Sequence, residues 1–548
     1  MSLSEDCIWE ILQYLSDDKK SLYSCLLTNR LFCRIVVQIL WRNPWNQWIN
    51  INYKCDDDSR EQIYWNSLGR TISKCFSKEI KQSSSLLKKH KQNRLLQQQP
   101  LFNYVSYIQI ISAEVIDKLI KYIFDDINNR QTEQKFNKKF WLFFMNRCSR
   151  IKSLNMPRFN LFEYPASKIS LSSLSTLKVI VSYPKEIIFE LSKNINTLKR
   201  IEFRLDNTIG NSNNDDNIKT LILSQKNLKE IKFIFFREHT LFFNQDMIKQ
   251  LSQTLRVLEL CNCTFIPIQT ISNFINITEL KICFNSFMYN GEGVNNLRDV
   301  FLPKLETLSL INFRDRDLIF LSKLIETTQG SLKILNVHTN STDTTPAILF
   351  SISGLLLPTS PILLPTSSIK LYLHTIQTAC PNIEVLPVWL NSETVLQDFE
   401  DLLKSCSKIR KIIIHATTPF NDIPTKSILD LLALKSSSLF LNNIHLIGQW
   451  KFSNSELENF FDLWKEMKRK PIECFSHNNV YYIYIKSNYI IKYFQQYKCI
   501  ICSKAFDRLE SANHHIIIHH FGSCPYKCWN DCGDDHLSNF IYITSNYC

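Results

Sequence analysis

Apolar residues recur at helical spacing three times within the first 45 positions. Ile8, Ile11, Leu12 and Leu15 fall at i, i+3, i+4 and i+7, so they share one face of a helix. After the acidic break Asp17-Asp18, Leu22, Cys25 and Leu26 repeat the spacing, and Val36, Val37, Leu40 and Trp41 repeat it again. Ser4, just ahead of Glu5 and Asp6, is a good cap for the first of these helices. A segment of about 45 residues rarely builds a self-sufficient core, so three short amphipathic helices there predict a surface completed by a partner.

From about residue 148 the pattern becomes L-x-x-L-x-L, with other apolar residues allowed at the Leu positions. It occurs at Ile151-Leu154-Met156, Leu198-Ile201-Phe203, Leu228-Ile231-Phe233, Leu255-Leu258-Leu260 and Ile277-Leu280-Ile282. It continues at Leu305-Leu308-Leu310, Leu332-Leu335-Val337, Ile383-Leu386-Val388 and Ile409-Ile412-Ile414, and a weaker copy starts at Leu177-Ile180. Starts are 21 to 30 residues apart, except for a 51-residue step from Leu332 to Ile383, read as two units with one degenerate or looped out. This is the period of leucine-rich repeats. Each unit predicts a short strand followed by a helical return such as 317–324. One unit cannot cover its apolar side alone, so units stack into a curved α/β solenoid.

Residues between the buried leucines face the concave side. Early strands place Arg200, Glu202, Arg204, Glu230 and Lys232 there, and the next two place Glu259, Cys261, Lys281 and Cys283. Glu259, Lys281, Asn336, His338, Trp389, Lys411 and His415 are the candidate contacts for a protein ligand. Trp389 is expected to be an exposed anchor.

Composition narrows the functional classes. The chain has 548 residues, 45% hydrophobic and 12% aromatic, which excludes wholesale disorder and predicts several domains. Glycine is scarce, at 9, and no Walker or dinucleotide-binding fingerprint is present. The longest apolar stretch, 348–364, is broken by Pro358 and Pro361, so no membrane helix is expected, and residues 5 and 6 are acidic where a signal peptide carries positive charge. These features predict a cytoplasmic or nuclear protein, or one found in both. The net charge of +13 is concentrated: residues 70–94 carry eight Lys or Arg against Glu79 alone, within a Lys, Gln and Ser-rich stretch that reads as a solvated linker. No constellation of catalytic residues is apparent, and residues 1–48 balance five acidic against five basic side chains, which suits a protein partner.

Six of the 18 cysteines crowd into the last 50 residues. In a reducing compartment such crowding reads as metal ligation before disulfides. Cys499, Cys502, His515 and His519 have the spacing C-x2-C-x12-H-x3-H, with His520 as an alternative fourth ligand. A short Cys knuckle and one helix face at this separation supply a tetrahedral zinc site. Cys524, Cys528, Cys532 and His536 follow at intervals of four and offer a second ion, although Pro525 and Gly533 argue against the helix that would align them.

Three resemblances join these readings. The residues Leu3, Ile11 to Leu15, Ser21 to Leu26 and Leu27-Thr28-Asn29-Arg30 resemble an F-box, with Ser4 standing where that family usually has Pro. The phrases Leu302-Pro303-Lys304-Leu305-Glu306-Thr307-Leu308 and Cys380-Pro381-Asn382-Ile383-Glu384-Val385-Leu386 are similar to F-box proteins of the leucine-rich-repeat class. Tyr497, Phe506 and the four metal-binding candidates resemble a two-Cys, two-His zinc finger, with Ala512 in place of its usual Leu. The implied organisation is an F-box at 1–46, a helical and linker region at 47–147, and a leucine-rich-repeat horseshoe at 148–450. A connecting segment at 451–494 and a zinc module at 495–548 complete it. The resemblance implies a non-catalytic substrate receptor of a Skp–cullin–F-box ubiquitin ligase. Leu3, Ile8, Ile11, Leu12, Leu15, Leu22 and Leu26 would dock the Skp adaptor, and the solenoid would hold the protein to be ubiquitinated. Two other readings stand beside it: a scaffold without ligase, and a zinc-finger regulator of nucleic acid reading bases through Arg508, Ser511 and His514. A single finger covers only about 3 base pairs, which argues against nucleic acid.

Overall fold

The structure is a computed structural model. It describes residues 4–46, 58–76, 100–123, 130–205, 214–240, 243–265, 268–284, 300–314, 317–339, 364–416, 425–448, 450, 453–477, 480–485, 488–492, 497–499 and 505–506. The chain divides into two compact units, Met1–Leu255 and Arg256–Cys548.

The first unit opens with helices α1 (Glu5–Gln13), α2 (Lys19–Leu26) and α3 (Arg30–Leu40), followed by α4 (Asp58–Cys75). Strand β1 (Ile110–Ser112) comes next, then α5 (Ala113–Ile123) and α6 (Arg130–Arg147). Strands β2 (Ser153–Asn155), β3 (Thr176–Ile180), β4 (Arg200–Leu205) and β5 (Glu230–Thr240) then alternate with short helices. All five strands are parallel and in register, so Ile111, Leu154, Leu177, Ile201 and Ile231 form one row across the sheet. Every member of that row is buried, and each such side chain contributes roughly 1.5–3 kcal/mol. Aromatic packing closes the start of the sheet: Trp65 stacks on Tyr122, and Phe76 stacks on Phe140.

The second unit repeats the arrangement with β6 (Val257–Phe265), β7 (Glu279–Cys283), β8 (Thr307–Phe313), β9 (Ile334–Thr339), β10 (Val385–Leu390), β11 (Lys411–Ala416), β12 (Asn443–Ile447) and β13 (Cys474–His477). These eight are parallel, with rows Leu258–Leu280–Leu308–Leu335 and Leu386–Ile412–Ile444–Phe475 buried against the returning helices. Parallel strands need crossover connections, and the segments between successive strands, many of them helical, supply them. Four antiparallel strands follow: β14 (Val480–Ile485), β15 (Asn488–Lys492), β16 (Tyr497–Cys499) and β17 (Ala505–Phe506).

Each unit is therefore an α/β solenoid, and every Leu position of the nine full repeats predicted above is buried. Three details differ. Parallel strands begin at Ile110 and end at His477, outside the expected limits of 148 and 450. The weak copy has a different register: Leu174, Leu177 and Val179 are the buried set, and Ile180 is only half-buried. Across the 51-residue step, read as two units with one degenerate or looped out, β10 pairs directly with β9 through Val385 and Ile334. Sequence reading also missed units at Ile108-Ile111, Leu441-Ile444-Leu446 and Ile472-Phe475, all buried. Most of the basic linker, from residue 77 to 99, and Cys502, His515, His519 and His520 lie outside the described residues.

Candidate functional site

The N-terminal helices are defined by their caps. Ser4 caps α1, accepting from the Cys7 amide at 3.3 Å, and Asn29 caps α3, accepting from the Phe32 amide at 2.9 Å. Asp18 caps α2 through the amide and hydroxyl of Ser21, and these bonds hold its carboxyl below the ordinary value. Glu5 and Asp6 lie in the first turn of α1, where negative charge complements the helix dipole, and Glu5 also pairs with Arg34 of α3 at 3.1 Å.

Ile8, Leu12, Leu22, Ile35, Val36 and Ile39 form the core of this module, with Leu15 and Leu26 packed against it and half-buried. The expected docking set therefore divides. Ile8, Leu12 and Leu22 hold the helices together and are not a surface, because α3 covers the face they share. Leu3 lies outside the described residues. Ile11 remains 54% exposed, and three apolar residues outside the expected docking set join it: Tyr14 at 89%, Tyr23 at 56% and Leu27 at 82%. Ile11 and Tyr14 are one helical turn apart, as are Tyr23 and Leu27, so each pair shares a face. Their three- and four-residue spacing was readable in the sequence, but which face turned outward depended on where α3 packed.

Ion pairs within and between strands join side chains of β3, β4 and β5 in the first unit. Glu202 is buried between Lys178 at 3.1 Å and Arg204 at 2.6 Å. Burial pushes its carboxyl up, but the two cations outweigh that and hold it below the ordinary value. Arg200 pairs with Glu230 at 2.6 Å.

In the second unit, strand register sets out the remaining candidates. Glu259 pairs with Lys281 at 2.8 Å, and Asn336 donates to Ser309 Oγ at 3.4 Å. His338 is exposed, and partial burial together with Lys411 and Lys281 holds its imidazole below the ordinary value. His415 and the unforeseen His445 are lowered to about 4, first by burial and then by His338 and Lys411 respectively, so both are neutral imidazoles near pH 7. Nε2 of His415 has no hydrogen-bond partner among the described residues.

Trp389 is not an exposed anchor. Its side chain is fully buried, as are all five residues from Leu386 to Leu390. At this strand end the in-and-out alternation fails, because a Tyr and a His enclose the indole. Tyr372, on helix Thr366–Ala379, meets it edge-on at 5.4 Å and donates its hydroxyl to Pro387 O at 2.7 Å, while His415 stacks on it.

Buried thiols outside this face are poor nucleophiles. Burial raises Cys148 and pushes Cys380 to about 11 and Cys406 to about 12, so each stays protonated. At the C-terminal end, Tyr497 and Lys498 pair with Phe506 and Ala505 in an antiparallel hairpin, and Cys499 ends its first strand. No helix among the described residues is long and apolar enough to cross a membrane.

No protein-family model and no curated protein matches the chain. Among solved structures it is similar to one titled a crystal structure of a TLR13–ssRNA13 complex, at 16% identity and a TM-score of 0.32. The match covers 56% of this chain and 38% of that one.

Proposed function

We propose that the chain is a non-catalytic receptor that carries a bound protein to a Skp–cullin ubiquitin ligase. The N-terminal helices would hold the Skp adaptor, and the solenoid would hold the protein to be modified. The observation that carries the reading is the outward apolar set Ile11, Tyr14, Tyr23 and Leu27 on an otherwise well-formed three-helix module. Large apolar side chains at that exposure are stabilised by a partner, and aromatic residues are the favoured anchors of protein interfaces. The strands add a polar, rigid face whose side chains are held by cross-strand ion pairs.

Catalysis in this scheme is proximity: the receptor raises the local concentration of target lysines near a charged ubiquitin carrier. The C-terminal segment would bind one zinc ion and contribute its own folding energy through Cys499, Cys502, His515 and His519. Adaptor capture by the full-length chain, compared with a variant carrying Asp at positions 11 and 27, tests the receptor reading.

A further inference from the structure

Strands β6 and β7 bring two cysteines and a carboxylate together on the face opposite their buried leucines and isoleucine. Cys261 is in register with Cys283, and Glu259 with Lys281. The two sulfurs are 3.0 Å apart, with the Cys261 thiol directed at Cys283. That thiol also lies 3.6 Å from Glu259 Oε1, and all three donor atoms lie within 4.8 Å of one another. Leu258, Leu260, Leu280 and Ile282 are buried on the opposite side of the same strands, which fixes the backbone that presents them.

We propose that Glu259, Cys261 and Cys283 form a binding site for one zinc ion. Two thiolates select a borderline-soft cation such as Zn2+ over magnesium or calcium. With Zn–S near 2.3 Å and Zn–O near 2.1 Å, the edges of a tetrahedral site are about 3.8 Å between sulfurs and about 3.5 Å from sulfur to oxygen. The 3.0 Å sulfur–sulfur and 3.6 Å sulfur–oxygen spacings lie within an ångström of those edges. A disulfide is the competing outcome for two such sulfurs. In-register neighbours on parallel strands stay near the interstrand spacing of about 4.8 Å. Cα atoms across a disulfide are roughly 4.4–6.8 Å apart, a range that includes that spacing. Strand geometry allows either outcome, and the thiol state decides between them.

Charge balance supports the ion. Zn2+ with two thiolates and one carboxylate carries a net single negative charge, and the Lys281 ammonium, 2.8 Å from Glu259, offsets it. Binding releases the two thiol protons to solvent. Three protein ligands on a partly exposed face leave the fourth position for water or for a donor from a bound partner. The site belongs to the strands and is independent of the receptor reading and of the C-terminal cysteines.

Full-length protein purified under reducing conditions, stripped with chelator and titrated with zinc chloride against a chromophoric competitor, tests the site. Wild type is expected to bind one more zinc per chain than Cys261→Ser/Cys283→Ser, whatever the C-terminal segment holds. Glu259→Gln should retain that ion with at least about a 10-fold loss of affinity, since even an outer partner of a metal ligand is worth 10–100-fold. Cobalt substitution gives a second readout, because only wild type should show the added thiolate-to-cobalt absorption. Unchanged circular dichroism would show that the serine variant is folded. Equal zinc content and affinity in wild type and the double serine variant would overturn the site. So would an intact mass two hydrogens lower with both thiols blocked to alkylation, which would identify a disulfide.

Discussion

Trp389 and His415 lie face to face on adjacent strands, their ring centroids 5.1 Å apart and their planes inclined by only 13°. Tyr372 closes the indole's other approach edge-on. Three aromatic rings from two strands and one helix thus form a small core where the alternation of a strand would have left a surface. Such pairs add about 0.5–1.5 kcal/mol beyond their buried area.

Trp389→Ala should therefore act on stability. Emptying a fully buried indole site costs about 3–5 kcal/mol. The urea midpoint of the full chain, followed by circular dichroism, should fall for Trp389→Ala and fall less for Trp389→Phe. An unchanged midpoint would return Trp389 to the surface.

His415 and His445 make the second unit acid-sensitive. Their folded values of about 4 lie below the ordinary 6.5, mainly because burial disfavours the imidazolium. Between those values the unfolded chain takes up protons that the folded chain refuses, so stability is full above 6.5 and falls as pH drops toward 4. His415→Phe should flatten part of that fall. Unfolding midpoints of both proteins at pH 7.5 and pH 5 measure it, and identical differences would remove His415 as a contributor.

Asn29→Ala removes the acceptor for the Phe32 amide and should weaken α3 by about 1 kcal/mol, while Asn29→Asp should retain the cap. Hydrogen exchange of residues 30–40 reads the effect locally. Unaltered protection in the Ala variant would mean that the cap contributes nothing.

The solenoid was legible because its signal is redundant: a row such as Leu258, Leu280 and Leu308 repeats one burial decision at a fixed period. Where only one or two apolar residues marked a unit, as at Leu177-Ile180, the register slipped, since Leu174 and Val179 fit the same pattern. Exposure was harder to read. Ile11 and Leu12 are adjacent and equally apolar, yet the packing of α3, remote in sequence, buries one and leaves the other in solvent. Trp389 failed for a related reason, because its enclosure depends on Tyr372 and His415, each more than 15 residues away. Cys261 and Cys283 were assigned to the correct face, but their pairing required the inter-strand register.

Zinc in the C-terminal segment should depend on Cys502 alone among the variants considered. Cys502→Ser should lower the zinc count of the chain without altering the urea unfolding of the solenoid, because metal and fold are coupled only locally. Freshly purified wild type with no zinc at all would exclude the module.

Adaptor capture is the most direct measurement of the receptor role. The informative variant is Ile11→Asp with Leu27→Asp, since both side chains are exposed and the module should stay folded. Leu12→Asp would bury a charge in the core and unfold the helices, which makes it uninformative about docking. Two charges in a desolvated interface should weaken binding by several kcal/mol, and each 1.4 kcal/mol is about tenfold. Purified full-length wild type should retain the Skp adaptor in a pull-down, while the double variant, with unchanged circular dichroism, should retain none. Equal recovery of the adaptor by both, or by neither, would contradict the receptor role.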